Sequence, residues 1–277
     1  MGKRKVNDDK IDSMDISGEE SDEEGVSDGG ENEHLENEIV DVDFDFFDPK
    51  EIDYQTIKQL MIQLFSTDAE LFNLSELSEL IISQPLLGTT VKIDGADSDP
   101  YALLTVLNMN EHKDKECIKQ LKNYLIEKTK KNTNLNEKLV GLLKDTSQFH
   151  IGLILSERLI NMPVQLVPQM YIMLQEEIQW AIEDKEPYEF EWYLIITKTY
   201  REVDSTLDEE DEMPKKKMKK VKSIANFQCN FKLTKQTVTS DSKRAFSDFG
   251  ITPAMKIFLL HQSKMDQLIN DLEAACK

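Results

Sequence analysis

Apolar residues recur along this chain in two rhythms, and each change of rhythm marks an element. Past a leader with few groups to bury, Val42-Asp-Phe-Asp-Phe46 alternates apolar and acidic positions, as a half-buried strand does. The spacing then lengthens. Ile57, Leu60, Met61 and Leu64 fall at i, i+3, i+4 and i+7, and Asp53 stands where it can cap that helix. Asn73 precedes a second helix with Leu74, Leu77, Leu80 and Ile81 on one face, closed by Pro85 and Gly88. Thr89–Ile93 and Ala102–Leu107 predict consecutive strands joined through the turn-rich Asp94–Pro100. A long helix follows, burying Cys117, Ile118, Leu121, Tyr124 and Leu125. A shorter one around Leu135, Leu139, Leu142 and Leu143 comes after the polar Asn132-Thr-Asn134.

Phe149–Leu155 is so strongly apolar that a strand there needs cover on both faces. Pro168 suits the first turn of a helix whose stripe is Tyr171, Leu174, Ile178, Ala181 and Ile182. Glu189–Tyr200, Asn226–Leu233 and Met255–Leu260 complete the strands, and Met265–Ala274 is a final helix. Strands and helices mixed in one chain with short links predict an α+β fold, a mixed central sheet flanked by helices in a single domain over 42–277. Within it, residues 203–222 set Asp208-Glu-Glu-Asp-Glu212 beside a lysine run with almost nothing to pack, which predicts a charged flexible loop.

Charge changes this picture at one end. Met1–Asp53 holds twenty Asp or Glu against five Lys or Arg, so this stretch carries −15 of a total of −20. Ordering backbone costs about 1–2 kcal/mol per residue, and residues 1–41 have little to bury in return, so they are expected to form a disordered acidic tail. Such a tail attracts basic proteins and repels phosphate, which argues against nucleic acid as a direct ligand. A purely solubilising tail is the plainer alternative. Cys117, Cys229 and Cys276 are odd in number and lack C-x-x-C spacing, which fits a reducing compartment. A charged N-terminus and short apolar runs predict a soluble intracellular protein with no membrane partner.

Catalytic spacings are missing. The chain has no G-x-x-x-x-G-K-[ST], no H-E-x-x-H and no G-x-S-x-G around Ser156. His34, His112, His150 and His261 stand singly, so no metal site is expected, and His150 reads as a core or edge residue. Ser156, Glu157 and Arg158 form a charged turn at the end of an apolar strand, where α/β proteins gather ligands. They are candidates for partner binding, or they orient the loop before Asn161-Met-Pro163. Trp180, off the centre of its helix stripe, is a second partner-binding candidate, while Trp192 alternates with Phe190 and Leu194 and reads as core. Lys215, Lys216, Lys217, Lys219, Lys220 and Lys222 are what the acidic groove of a nuclear import receptor accepts, with Lys3-Arg-Lys5 a weaker counterpart. Ser17 and Ser21 each have Glu three residues on, as an acid-directed kinase requires.

Three blocks carry a family likeness: Leu77-Ser-Glu-Leu-Ile-Ile-Ser-Gln-Pro85, Gly152–Tyr171 with its Ser156-Glu-Arg158, and Thr252-Pro-Ala-Met-Lys256. Together they resemble the BCCIP family, known in fungi as Bcp-type nuclear proteins, over about Phe44 to Leu272. The resemblance implies the fold of Gcn-five-related N-acetyltransferases. Those enzymes cradle the acetyl-CoA pyrophosphate on a glycine-bearing loop, placed here after Ala102–Leu107. Asn108-Met-Asn-Glu-His-Lys-Asp-Lys-Glu116 has no glycine and sets Glu111, Asp114 and Glu116 towards the phosphates, so no cofactor and no enzyme activity are expected. The resemblance further implies a nuclear adaptor and chaperone, shuttling to the cytoplasm, that escorts a basic large-subunit ribosomal protein of the L-fourteen class and supports ribosome biogenesis and nuclear export. A regulatory scaffold for cell-cycle or recombination proteins is its alternative.

Overall fold

A computed structural model of the chain describes residues 42–84, 87–144, 147, 149–202, 224–234 and 251–277. The tail 1–41 with Ser17 and Ser21, the loop 203–222 with its lysines, and Pro85 all lie outside the described residues.

The described elements follow the predicted order. They are β1 (Asp45–Phe47), α1 (Tyr54–Phe65), α2 (Leu74–Ile82), β2 (Thr89–Lys92), β3 (Ala102–Asn108), α3 (Glu116–Thr129), α4 (Thr133–Leu142), β4 (His150–Arg158), α5 (Val167–Glu183), β5 (Phe190–Glu202), β6 (Phe227–Phe231), β7 (Ile251–His261) and α6 (Met265–Cys276). The seven strands form one sheet in the order β1-β2-β3-β4-β5-β7-β6. Every neighbouring pair is antiparallel except β4 and β5, which α5 connects.

Side-chain alternation sorts this sheet between two cores. Leu103 and Leu107 of β3, Ile151, Leu153 and Leu155 of β4, and Trp192, Leu194 and Ile196 of β5 pack with the stripes of α1 to α4. The intervening Leu104 and Val106, Ile154, and Tyr193 and Ile195 pack with α5 and α6 on the opposite face. Because helices cover both faces, the central strands are apolar at nearly every position, which is the Phe149–Leu155 signal. Gly152 interrupts the apolar run of β4. A Cβ there would stand 2.8 Å from Val106 Cγ2 and 3.0 Å from two Phe190 ring atoms.

The helix starts divide into predicted and unpredicted ones. Asn73 caps α2 through Oδ1, accepting from Glu76 N at 3.2 Å, and Asn132 Oδ1 caps α4 through Leu135 N. Asp53 does not cap α1 with its side chain, as the sequence suggested. Its carboxylate is buried and takes the Lys50 N–H at 2.9 Å and the Lys92 ammonium at 2.6 Å. Lys92 is itself 0% exposed and Asp53 1%, so a charge pair sits wholly inside the domain.

A second buried carboxylate, Glu177 of α5, binds the sheet from the other face. It accepts from Gly88 N at 2.9 Å and from Thr89 Oγ1 at 3.1 Å. Gly88 holds φ at +120°, and a Cβ there would meet Thr105 Oγ1 at 3.0 Å, so glycine is required where β2 begins.

Candidate functional site

Ser156, Glu157 and Arg158 are not a turn. They are the last residues of β4, in register with Leu104, Leu103 and Ala102 of β3. On the other side β4 leaves its partner: the pairing with β5 runs from His150 opposite Phe190 to Ile154 opposite Ile195 and stops there. Beyond that point both strands continue without a shared ladder, which leaves a gap at the carboxyl ends of the parallel pair. Open α/β sheets hold their ligands at such a place.

Side chains close this gap. The buried Glu157 carboxylate accepts from Lys198 Nζ of β5 at 2.9 and 2.8 Å through its two oxygens, and from Gln63 Nε2 of α1 at 2.7 Å. The same Gln63 amide donates to Arg158 O at 2.8 Å. Arg158 turns its guanidinium to the following loop and donates to Leu159 O at 3.3 Å and Met162 O at 2.9 Å. Ser156 contacts Tyr171 of α5. Burial pushes that phenol up to about 12, against the opposing pull of the Ser156 hydrogen bond. Of the two readings of Glu157 and Arg158, the geometry fills the orienting one: together they tie β4, β5, α1 and the next loop.

What they orient is an exposed apolar tip. Met162 is buried and pins the loop, while Ile160, two residues before it, is 97% exposed. Val164 follows with a large exposed fraction, and Ile62, beside Gln63 on α1, is exposed to a similar degree. Trp180 is 40% exposed but does not join this group. It lies thirteen residues beyond Val167 along α5, about 20 Å of helix. Trp192 is buried, as its alternation predicted, and stacks edge-on against His261.

Neither the stretch before α3 nor the one before α5 presents a glycine-bearing phosphate cradle. In the stretch after β3, Asn108 is buried and its Oδ1 accepts from Asn110 N and Glu111 N, so the turn's own amides are used internally. The start of α3 already receives an anion. Glu76 of α2 accepts from Cys117 N at 2.7 Å, and this backbone bond holds its carboxyl below the usual range. The same carboxylate, after burial, raises the Cys117 thiol to about 12. The parallel connection, however, follows β4 rather than β3. There, residues 159–167 contain no glycine, and Pro163 lacks the N–H that anion binding uses.

His150, the first residue of the central strand β4, is half-buried, and its Nδ1 lies 2.9 Å from Asn108 Nδ2. Among the described residues no group of three or more His, Cys, Asp or Glu is arranged to hold a metal ion. No helix among them is long and apolar enough to cross a membrane. Sequence reasoning missed Gln63, Lys198 and Ile160. Only the exposed apolar pair Ile160 and Val164, flanking a proline-bearing turn, left any signal.

These observations define the class: an α+β domain on one mixed seven-stranded sheet, with the opening of its parallel pair bridged by a buried glutamate and an exposed lysine. A family model described as BCCIP matches residues 39–240. The chain is 46% identical to "Protein bcp1" of Aspergillus oryzae, over 99% of this chain and 98% of the relative. It is 42% identical to "Protein bcp1" of Schizosaccharomyces pombe, over 86% of this chain and 91% of that one. The crystal structure of BCP1 from Saccharomyces cerevisiae superposes with a TM-score of 0.59 at 24% identity, covering 89% of this chain and 94% of the other, and so shares the fold. The chain belongs to the BCCIP family.

Proposed function

We propose that this protein is a nuclear adaptor and chaperone that binds and escorts a basic large-subunit ribosomal protein of the L-fourteen class, and through it supports ribosome biogenesis and nuclear export. The observation that carries the reading is the loop after β4: an isoleucine held out into water by a guanidinium clamp and a buried methionine. Apolar side chains set within polar rims are the usual anchors of binding energy. Ile160, with Val164 and Ile62, would seat the client, and the polar rim of Gln63, Glu157, Arg158 and Lys198 would fix the loop that carries them.

Residues 1–41, with a net charge of −11, would shield the client's RNA-facing cations until assembly. Import through Lys215–Lys222 and phosphorylation of Ser17 and Ser21 belong to the same proposal, as does the likeness of the fold to Gcn-five-related N-acetyltransferases, here without transferase chemistry.

The test is co-expression with the L-fourteen-class ribosomal protein, followed by sedimentation and size exclusion. The expected result is a soluble stoichiometric complex, weakened about tenfold or more by Ile160→Glu. Deletion of Met1 to Asn37 should leave co-elution largely intact at moderate salt and reduce protection against RNA-driven aggregation. An insoluble client with this protein eluting alone overturns the chaperone reading and puts the cell-cycle or recombination scaffold in its place.

A further inference from the structure

The charge of this protein is not evenly spread. Between Lys113 and Lys144 there are nine lysines and four Asp or Glu, a surplus of five positive charges in a chain of net −20. This stretch is the α3–α4 layer and the loop that leads into it. Two adjoining hollows open there, of about 330 and 450 Å³. They share Lys113 and Lys122; Lys144 and Glu111 line the first, Lys119 and Asp114 the second, so the two form one elongated trough edged by four lysines and two carboxylates, a surplus of two positive charges. The first hollow also has apolar lining, from Met109, Ile118 and Leu143. Phe149, which lies in the chain between the lining residues Ser147 and His150, is 51% exposed.

We propose that this trough binds a short acidic peptide segment of a partner protein, one apolar side chain entering the first hollow and flanking carboxylates meeting the lysines. Charge complementarity selects an anionic occupant. Lysines alone would serve any anion, and the apolar lining with the exposed phenylalanine adds a preference for a hydrophobic anchor. A peptide fits better than RNA. Residues 42–277 together carry −9, so a long polyanion leaving the trough runs over repelling surface, whereas a short peptide places its few charges within one Debye length of the lysines, about 8 Å at physiological salt. The surface is distinct from the Ile160 tip and does not depend on the client reading.

The experiment uses the full chain and fluorescence anisotropy of a labelled synthetic peptide with a central phenylalanine flanked on both sides by glutamates. Saturable binding is expected, falling about tenfold or more for the double variant Lys113→Gln/Lys144→Gln, for Phe149→Ser, and for the peptide with alanine in place of its phenylalanine. Thermal melts establish that both variants fold. Binding that is absent, or unchanged in both variants, overturns the proposal. So does tighter binding of poly-uridine RNA displaced by the same lysine changes, which would assign the trough to nucleic acid. Co-elution of the ribosomal client should be unaffected by either variant, so failure here and failure of the chaperone reading are separately visible.

Discussion

Replacing Lys92 with methionine isolates what the internal charge pair contributes. Methionine keeps most of the unbranched stem and its packing, so the principal loss is the ammonium group. In the native protein that group donates to Asp53 Oδ1 at 2.6 Å and to Ala96 O at 2.7 Å, and it lies 5.8 Å from the centre of the Phe47 ring. Without it, the Asp53 carboxylate, 1% exposed, retains the Lys50 N–H as its remaining hydrogen-bond donor. Stranding a buried charge in this way costs about 3–5 kcal/mol, and for a domain of this size each kcal/mol lowers Tm by about 2–4 °C. Lys92→Met should therefore melt roughly 6–20 °C below wild type, followed by far-UV circular dichroism and checked by urea titration. The double variant Lys92→Met/Asp53→Leu removes both charges and should recover much of the loss. If Lys92→Met alone cost less than about 1 kcal/mol, the pair would not be isolated from water, and the reasoning would fail. A double variant less stable than the single one would refute it equally.

Two further outcomes follow from contacts described above. Gly152→Ala should destabilise by about 1–3 kcal/mol in the same melts, because its Cβ would press on Val106 and Phe190, both inside one core; a neutral substitution would show that β4 has slack there. Asp68 is buried, which alone would raise its pKa, but hydrogen bonds from Tyr124, Lys128 and Thr234 N outweigh this and hold it below the usual range. A carboxyl depressed by folding stabilises above its unfolded pKa, near 3.9, and loses that contribution as pH falls through the folded value. Asp68→Asn should thus cost most at neutral pH, with the gap to wild type narrowing below about pH 4; a gap independent of pH would contradict the assignment.

Legibility in the sequence tracked the local or non-local origin of each feature. The helices α1 to α5 could be read because their buried faces repeat at helical spacing within a single segment, and the cap Asn73 acts within three residues; Asn132 was read only as part of a polar break, and it caps α4. The internal charges could not. Lys92 ends a four-residue strand whose partner, Asp53, lies 39 positions earlier, and nothing in Thr-Thr-Val-Lys distinguishes a buried lysine from a solvent-facing one. Glu177 resembled the polar face of α5 but meets Gly88 and Thr89 across the sheet.

Ser156-Glu-Arg158 was singled out correctly as unusual and misplaced as a turn, since charged residues commonly end a strand. Here Lys198, Gln63 and two loop carbonyls satisfy the charges and let the strand continue. The parallel pair, β4 with β5, was not legible either. Which strands run parallel is a property of the sheet order, which no single segment encodes.

The bridged gap also changes what joins the two halves of the sheet along their length. Strands β4 and β5 share a backbone ladder as far as Ile154 and Ile195 and none beyond it, while one core continues beneath both. Past that point the Glu157 to Lys198 link stands in for the missing ladder, and the loop that carries Ile160 leaves the sheet at the same end.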